Sequence, residues 1–241
     1  MKKLFKLIQI IRLGLFPAFL RNNVAAGTEH SVVLAPLNCK HVVDVGANRG
    51  QFALIARKCF PDAKIDSFEP LQEPADRFQA LFDNDHSTQL HRLAIGLNGG
   101  EAAIHVSSRD DSSSLLPITD TQSTLFPGTA ECEKRMIQVA PLRDVIPEHD
   151  VQEPALLKVD VQGFEMEVLR GCEELLGRFQ YIYVECSFVE LYAGQAFADE
   201  IIAFLRERNF ILGGVYNPCY DKSGRAVQAD FFFVARECNN V

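Results

Sequence analysis

The sequence predicts an α/β fold: a mostly parallel seven-stranded sheet that closes in a C-terminal antiparallel hairpin, preceded by an N-terminal amphipathic helix. Three observations predict it. Short apolar runs alternate with helix-like segments from Val42 onward, which implies parallel strands joined by crossovers. The first run, Val42 to Val45, passes directly into a glycine turn and the start of a helix. The last two runs, Phe210 to Tyr216 and Asp230 to Ala235, flank the turn-forming residues Asp221-Lys222-Ser223-Gly224, as an antiparallel pair requires.

Met1 to Asn23 begins Met-Lys-Lys and is apolar like a secretion signal, but Lys6, Gln9 and Arg12 interrupt its core. Leu4, Ile8, Ile11 and Leu15 lie instead on one helical face, opposite Lys2, Lys6 and Arg21. Two readings stay open for this helix. It packs on the domain or on a second subunit as a homodimer, or residues 1–22 form a basic peripheral contact with an anionic membrane. Residues 1–35 are therefore read as helix and linker, and 36–241 as the domain. No apolar run reaches the ~18 residues that span a bilayer.

Within the domain, a strand at 42–46, a helix near 51–60, a strand at 64–69, a helix near 72–83 and a strand at 90–95 follow in βαβαβ order. Asn98-Gly99-Gly100 then signals a hairpin, with Ala102 to Val106 as the returning strand. Residues 107–135 are rich in Ser, Thr, Asp, Gly and Pro and lack a period, which suits a binding loop or lid. Met136 to Ala140 reads as a short strand. A second α/β series places strands at 156–161 and 181–186 and helices at 164–176 and 197–208.

Composition narrows the partners. A net charge of −8 and a pI near 5.3 argue against nucleic acid, because phosphate binding wants a basic face. The seven cysteines are odd in number and form no Cys-x-x-Cys, so they read as reduced thiols of a cytoplasmic protein.

The chemistry centres on His41 to Phe52. Gly46 and Gly50 are four apart, and neither Gly-x-Gly-x-x-Gly nor a Walker lysine is present. Asp44 stands on the strand before the turn, where it would repel a pyrophosphate. It suits a cationic ligand without phosphate, such as S-adenosylmethionine (SAM). The plainer reading is an ordinary βα turn with Asp44 as a local hydrogen-bond acceptor. Glu69, at the end of the second strand and before Pro70, is placed to accept both ribose hydroxyls of an adenosine, as the equivalent acid does in NAD enzymes. The strand Leu156 to Val161 should be almost continuously apolar, yet it carries Lys158 and Asp160. Asp160 lies at its carboxyl end, the ligand edge of an open sheet. A structural pair of Lys158 with Asp160 or Glu185 is the alternative to a catalytic Lys158.

Taken in order, Asp44-Val45-Gly46-Ala47-Asn48-Arg49-Gly50, Phe68-Glu69-Pro70, Ala94-Ile95-Gly96, Ser112-Ser113-Ser114-Leu115, Lys158 to Glu165 and Val168-Leu169-Arg170-Gly171 resemble the FkbM-type SAM-dependent methyltransferases over about residues 40–190. The resemblance implies a Rossmann-like methyltransferase fold, SAM as cofactor, and O-methylation of a hydroxyl on a sugar, polyketide or related metabolite, hence a small-molecule or glycan acceptor. Asp44, Gly46, Asn48 and Gly50 would cradle the methionine part, Glu69 the ribose, and Ala94 and Ile95 the adenine. Ala47, Phe52 and Pro70 complete the cofactor-binding set. Asp160 and Glu165 would face the acceptor. Asp160 is the first candidate for general base, with Lys158 or a histidine as alternates; nothing in the sequence pairs His105. Asp160 and Glu185 end adjacent strands and carry oxygen ligands that suit Mg²⁺, but two carboxylates do not define a metal site. A nicotinamide-dependent oxidoreductase and a non-catalytic SAM-binding scaffold remain as alternatives.

Overall fold

The computed structural model describes residues 24–236. The amphipathic helix expected over residues 1–22, with its membrane and subunit contacts, lies outside the described residues. In chain order the elements are α1 (Ser31–Leu34), β1 (His41–Val45), α2 (Gln51–Cys59), β2 (Lys64–Phe68), α3 (Gln72–Leu81), β3 (Thr88–His91), β4 (Ala94–Ile95) and β5 (Gly100–Ser107). There follow α4 (Asp120–Leu125), β6 (Glu131–Ala140), β7 (Ala155–Val159), α5 (Glu165–Gly171), β8 (Tyr181–Ser187), α6 (Ala198–Glu207), β9 (Phe210–Tyr220) and β10 (Ala226–Ala235).

Seven strands form one sheet in the order β3-β2-β1-β7-β8-β10-β9. The first five are parallel, and β10 runs antiparallel to both β8 and β9. This is the expected Rossmann-like methyltransferase arrangement. The central strands β1 and β7 are buried at every position, which is why their sequences read as near-continuous apolar runs. α2 covers one face with Phe52 and Ile55, each worth about 1.5–3 kcal/mol of burial. It ends at Phe60, before the Pro61-Asp62 turn. The opposite face is packed by α5, α6 and their neighbours around Leu157, Val159, Leu169 and Ile182.

Three expectations change. Leu90 to Ile95 is not one strand. His91 closes β3, its ring stacked on Phe68 and its Nε2 2.8 Å from the buried Asp66 carboxylate. The chain then leaves the sheet, and Ala94–Ile95 joins a second sheet ordered β4-β6-β5. The turn at Asn98-Gly99-Gly100 therefore does not make a two-stranded hairpin: β6 lies between β4 and β5, parallel to one and antiparallel to the other. Residues 107–135 are also less irregular than their composition suggests. They carry α4 and the first half of β6, a strand longer than Met136 to Ala140 whose first half is mostly exposed and charged and so lacks the apolar pattern of a strand.

Residues 24–40 are packed rather than strung out as a linker: Val24 is buried, and Ala26, Val33 and Leu34 are buried in one cluster with residues of α2 and β1. Among the described residues, six cysteines are free thiols and no helix is long and apolar enough to cross a membrane.

Candidate functional site

The ends of β1, β2, β4 and β7 and the segment 109–126 border one cavity of about 440 Å³, the scale of a small-molecule site. Its first wall is the glycine turn. Gly46 has a positive φ of 80°, and a Cβ there would run into the Asp160 carbonyl, so only glycine lets β1 and β7 approach this closely. Every backbone N–H of the turn is used internally. Gly46 and Ala47 donate to the Phe68 carbonyl (3.1 and 2.9 Å), Asn48 to Glu69 Oε2 (3.0 Å), Arg49 to Asn48 Oδ1 (2.8 Å) and Gly50 to the Ala47 carbonyl (2.9 Å). The turn itself therefore offers no spare N–H to an anion.

Glu69 forms the next part of the wall. Its carboxylate accepts N–H groups of Asn48 and, at 2.8 Å, Leu71, which fix both oxygens and leave lone pairs for hydroxyl donors in the cavity. Pro70, Ala94 and Ile95 continue the wall as an apolar strip with Ile104 and Leu115.

Lys158 separates this end from the next. Its Nζ lies 2.9 Å from Asp44 Oδ1 and donates to the Gly46 carbonyl at 2.8 Å. The partner is thus Asp44, not Asp160 or Glu185, because Asp44 and Lys158 are register neighbours on adjacent parallel strands. Burial works against the ammonium, but Asp44, Asp160 and Glu185 together outweigh it and hold the Lys158 pKa above its ordinary value. Burial likewise pushes Asp44 up and the ammonium draws it back, which leaves the proton on the lysine.

The far end is acidic. Gln162, in the left-handed region at φ 57°, donates from Nε2 to Asp160 Oδ1 and to Glu185 Oε2, both at 2.8 Å. The Tyr192 hydroxyl fixes its amide from behind, 2.8 Å from Oε1. Gln228 donates to the other Glu185 oxygen at 2.7 Å. Burial, and then the charges of Asp160 and Asp230, push the Glu185 pKa well above its ordinary value. Glu165 lies beneath the cavity rather than in its wall: its Oε1 accepts the N–H groups of Val161 (3.1 Å) and Gly163 (3.0 Å) and so shapes the loop that carries Asp160. Burial raises its pKa to about 7.

The fold therefore brings Gly46, Ala47, Asn48, Phe52, Glu69, Pro70, Ala94, Ile95, Lys158 and Asp160 to one cavity wall. Asp44, Gly50 and Glu165 stand behind it as supports. His105 is apart from the cavity; its Nδ1 lies 2.6 Å from Glu131 between β5 and β6. Among the described residues no three or more His, Cys, Asp or Glu side chains group as metal ligands. Sequence reasoning missed Gln162, Gln228 and His30. Gln162 entered only as one residue of the Lys158 to Glu165 motif, with no role of its own. His30 carried no signal.

The family model for the methyltransferase FkbM domain matches residues 44–212. Methyltransferase 1 of Beauveria bassiana is 27% identical over 145 residues, 55% of this chain and 58% of that protein, so the chain covers less than two thirds of that relative. The 2-O-methyltransferase NoeI of Sinorhizobium fredii is 28% identical over 165 residues, 64% of this chain and 66% of that protein. The 31-O-demethyl-FK506 methyltransferase FkbM of Streptomyces tacrolimicus is 27% identical over 228 residues, 79% of each.

Proposed function

The chain belongs to the FkbM-domain methyltransferase family, and from that premise we propose that it is a SAM-dependent O-methyltransferase acting on a hydroxyl of a small molecule or glycan. One observation carries the choice of cofactor. Glu69 offers a hydroxyl-binding carboxylate beside a turn whose N–H groups are all consumed within the protein. That wall fits an adenosine without phosphates and disfavours the pyrophosphate of a nicotinamide dinucleotide. Glu69 would hold the ribose, Ala94 and Ile95 the adenine, and Gly46, Ala47 and Asn48 the methionine part. SAM supplies an electrophilic methyl group when bound.

The chain's own work is alignment, a proximity effect. Asp160 and Glu185 would accept hydrogen bonds from the acceptor's hydroxyls, while Gln162 sets the spacing of the two carboxylates. Lys158 has no lone pair to take a proton, because its ammonium is held by Asp44 and the Gly46 carbonyl. Two relatives carry O-methyltransferase names, which supports oxygen as the atom methylated. The free thiols among the described residues suit a reducing, cytoplasmic setting.

The test is thermal unfolding with S-adenosylhomocysteine and with NAD. The first, at a hundred times its Kd, stabilises by about 2.7 kcal/mol and raises the Tm by roughly 5–10 °C. NAD leaves it unchanged. Stabilisation by NAD alone reverses the assignment.

A further inference from the structure

His30 lies outside every motif and upstream of the matched residues 44–212, yet its side chain lines the cavity. The 3-10 turn Thr28–His30 that carries it is pinned to α2 by the Gly27 N–H, which donates to the Gln51 carbonyl at 2.9 Å. The imidazole packs edge-on against Phe52 and Tyr183, with ring centroids 5.3 and 5.6 Å away. Its two nitrogens have different surroundings. Nδ1 lies 3.1 Å from the Tyr183 hydroxyl oxygen. Tyr183 donates its one hydroxyl proton to Asp230 Oδ2 at 2.8 Å, and the Asn217 amide donates to the same oxygen at 2.8 Å. The Asn217 amide nitrogen also lies 3.3 Å from the tyrosine oxygen and 3.4 Å from Nδ1, but the 3.1 Å contact between Nδ1 and the tyrosine oxygen is the shorter, so that oxygen accepts from Nδ1–H. That places the proton of the neutral ring on Nδ1 and the lone pair on Nε2. Among the described residues, no group hydrogen-bonds Nε2.

The groups that act on the ring come from several elements. Burial is the largest influence and lowers the His30 pKa. Asp230 on β10, Glu29 on the same turn and Asp160 after β7 oppose it, and Lys158 on β7 adds to it. The ring is therefore neutral at neutral pH, with carboxylates near enough to stabilise a proton once it arrives.

We propose that His30 is the proton acceptor of the methyl transfer, with Nε2 as the accepting atom and Tyr183 and Asp230 as its positioning residues. The proposal rests on the methyltransferase reading of the cavity. In the step, the hydroxyl oxygen bonds the methyl carbon, the carbon–sulfur bond breaks with its electron pair on sulfur, and the hydroxyl proton passes to Nε2. The positive charge lost at sulfur reappears on the imidazole, whose Nδ1 is 3.5 Å from Asp230 Oδ2. Asp160 is left to orient the hydroxyl.

The test is long-range ¹H–¹⁵N NMR of the full chain, labelled at its six histidines, with S-adenosylhomocysteine bound. His30→Gln identifies the His30 signal. The expected spectrum at pH 7.5 shows a protonated Nδ1 and a bare Nε2, and Tyr183→Phe shifts the ring toward the other tautomer. A proton on Nε2 in the wild type, or a tautomer indifferent to Tyr183→Phe, overturns the proposal. In parallel, transfer of tritiated methyl from SAM to an extract of the producing cells should fall roughly 100- to 10,000-fold in His30→Gln. The variant's affinity for S-adenosylhomocysteine should stay within about threefold of wild type, well under the 1.4 kcal/mol of a tenfold change. Undiminished labelling also overturns it. Failure of the wild type to bind S-adenosylhomocysteine instead overturns the methyltransferase reading, and the tautomer is then read from the free protein.

Discussion

The two ends of the cavity are built on opposite principles. At the end made by β1 and β2, the polar backbone is satisfied within the protein and the Glu69 carboxyl is held by two N–H donors. At the end made by β7, β8 and β10, Asp160, Glu185, Glu165 and Asp230 crowd together, and burial raises the pKa of the last three. The first end is fixed in shape and charge, which suits a ligand that never changes. The second can gain or lose protons, which suits the part of the proposed reaction where a hydroxyl would be held and deprotonated. Lys158 and Asp44 stand at the boundary and serve both, since one ammonium pins the Gly46 carbonyl and offsets the acids beyond it.

Lys158→Met breaks that boundary and should have the largest effect. It leaves the Asp44 carboxylate buried without its cation, so unfolding in urea should show a loss of about 3–5 kcal/mol. The double variant Asp44→Asn with Lys158→Met should recover most of it, because the uncompensated charge is gone. If the double variant is as unstable as the single one, the pair is not what joins the two ends.

The same boundary explains what could be read from the chain alone. β1, β2, β7 and β8 announced themselves because strands buried on both faces need apolar runs, and a charge within such a run is conspicuous. Glu69 and the glycine turn followed from position on the sheet. The partner of Lys158 did not. Alternation along one strand says which residues share a face, whereas Asp44 faces Lys158 through the register of two strands separated by more than a hundred residues. Only the second half of β6 was legible, because its first half, Glu131 to Arg135, is mostly exposed and charged, and Ile137 is the one buried position of the strand. His30 was out of reach for a related reason: its turn has no periodicity, and its partners Tyr183 and Asp230 lie 153 and some 200 residues away.

Glu165 tests the titratable end. Its pKa is raised from 4.5 to about 7 by burial, so the folded chain binds its proton more tightly than the unfolded chain does. The sign follows from that difference. This contribution is complete below pH 4.5 and is lost as pH rises through about 7. Stability in the wild type should fall between pH 5 and 8, with Glu165 supplying on the order of 1–3 kcal/mol of the fall. Glu165→Gln keeps the side-chain oxygen that accepts from Val161 and Gly163 but cannot titrate. Urea unfolding at the two pH values should therefore show a flatter dependence in the variant. Equal slopes would mean that another acid, with Glu185 the first to examine, controls this end.

Glu69→Gln probes the fixed end and should have the smallest effect. One carboxylate oxygen becomes an amide, so either the Asn48 or the Leu71 N–H loses its acceptor, and the remaining oxygen is neutral. The turn stays in place because Gly46, Ala47 and Gly50 keep their backbone partners. If Glu69 holds the ribose as proposed, weaker hydrogen bonding there should lower the affinity for S-adenosylhomocysteine about tenfold, roughly 1.4 kcal/mol, as read by titration calorimetry. The loss should be the same at pH 6 and pH 8, because the raised carboxyls of Glu165, Glu185 and Asp230 belong to the other end of the cavity. A pH-dependent loss would show that the two ends share their protons, and the division between a fixed cofactor wall and a titratable acceptor wall would have to be given up.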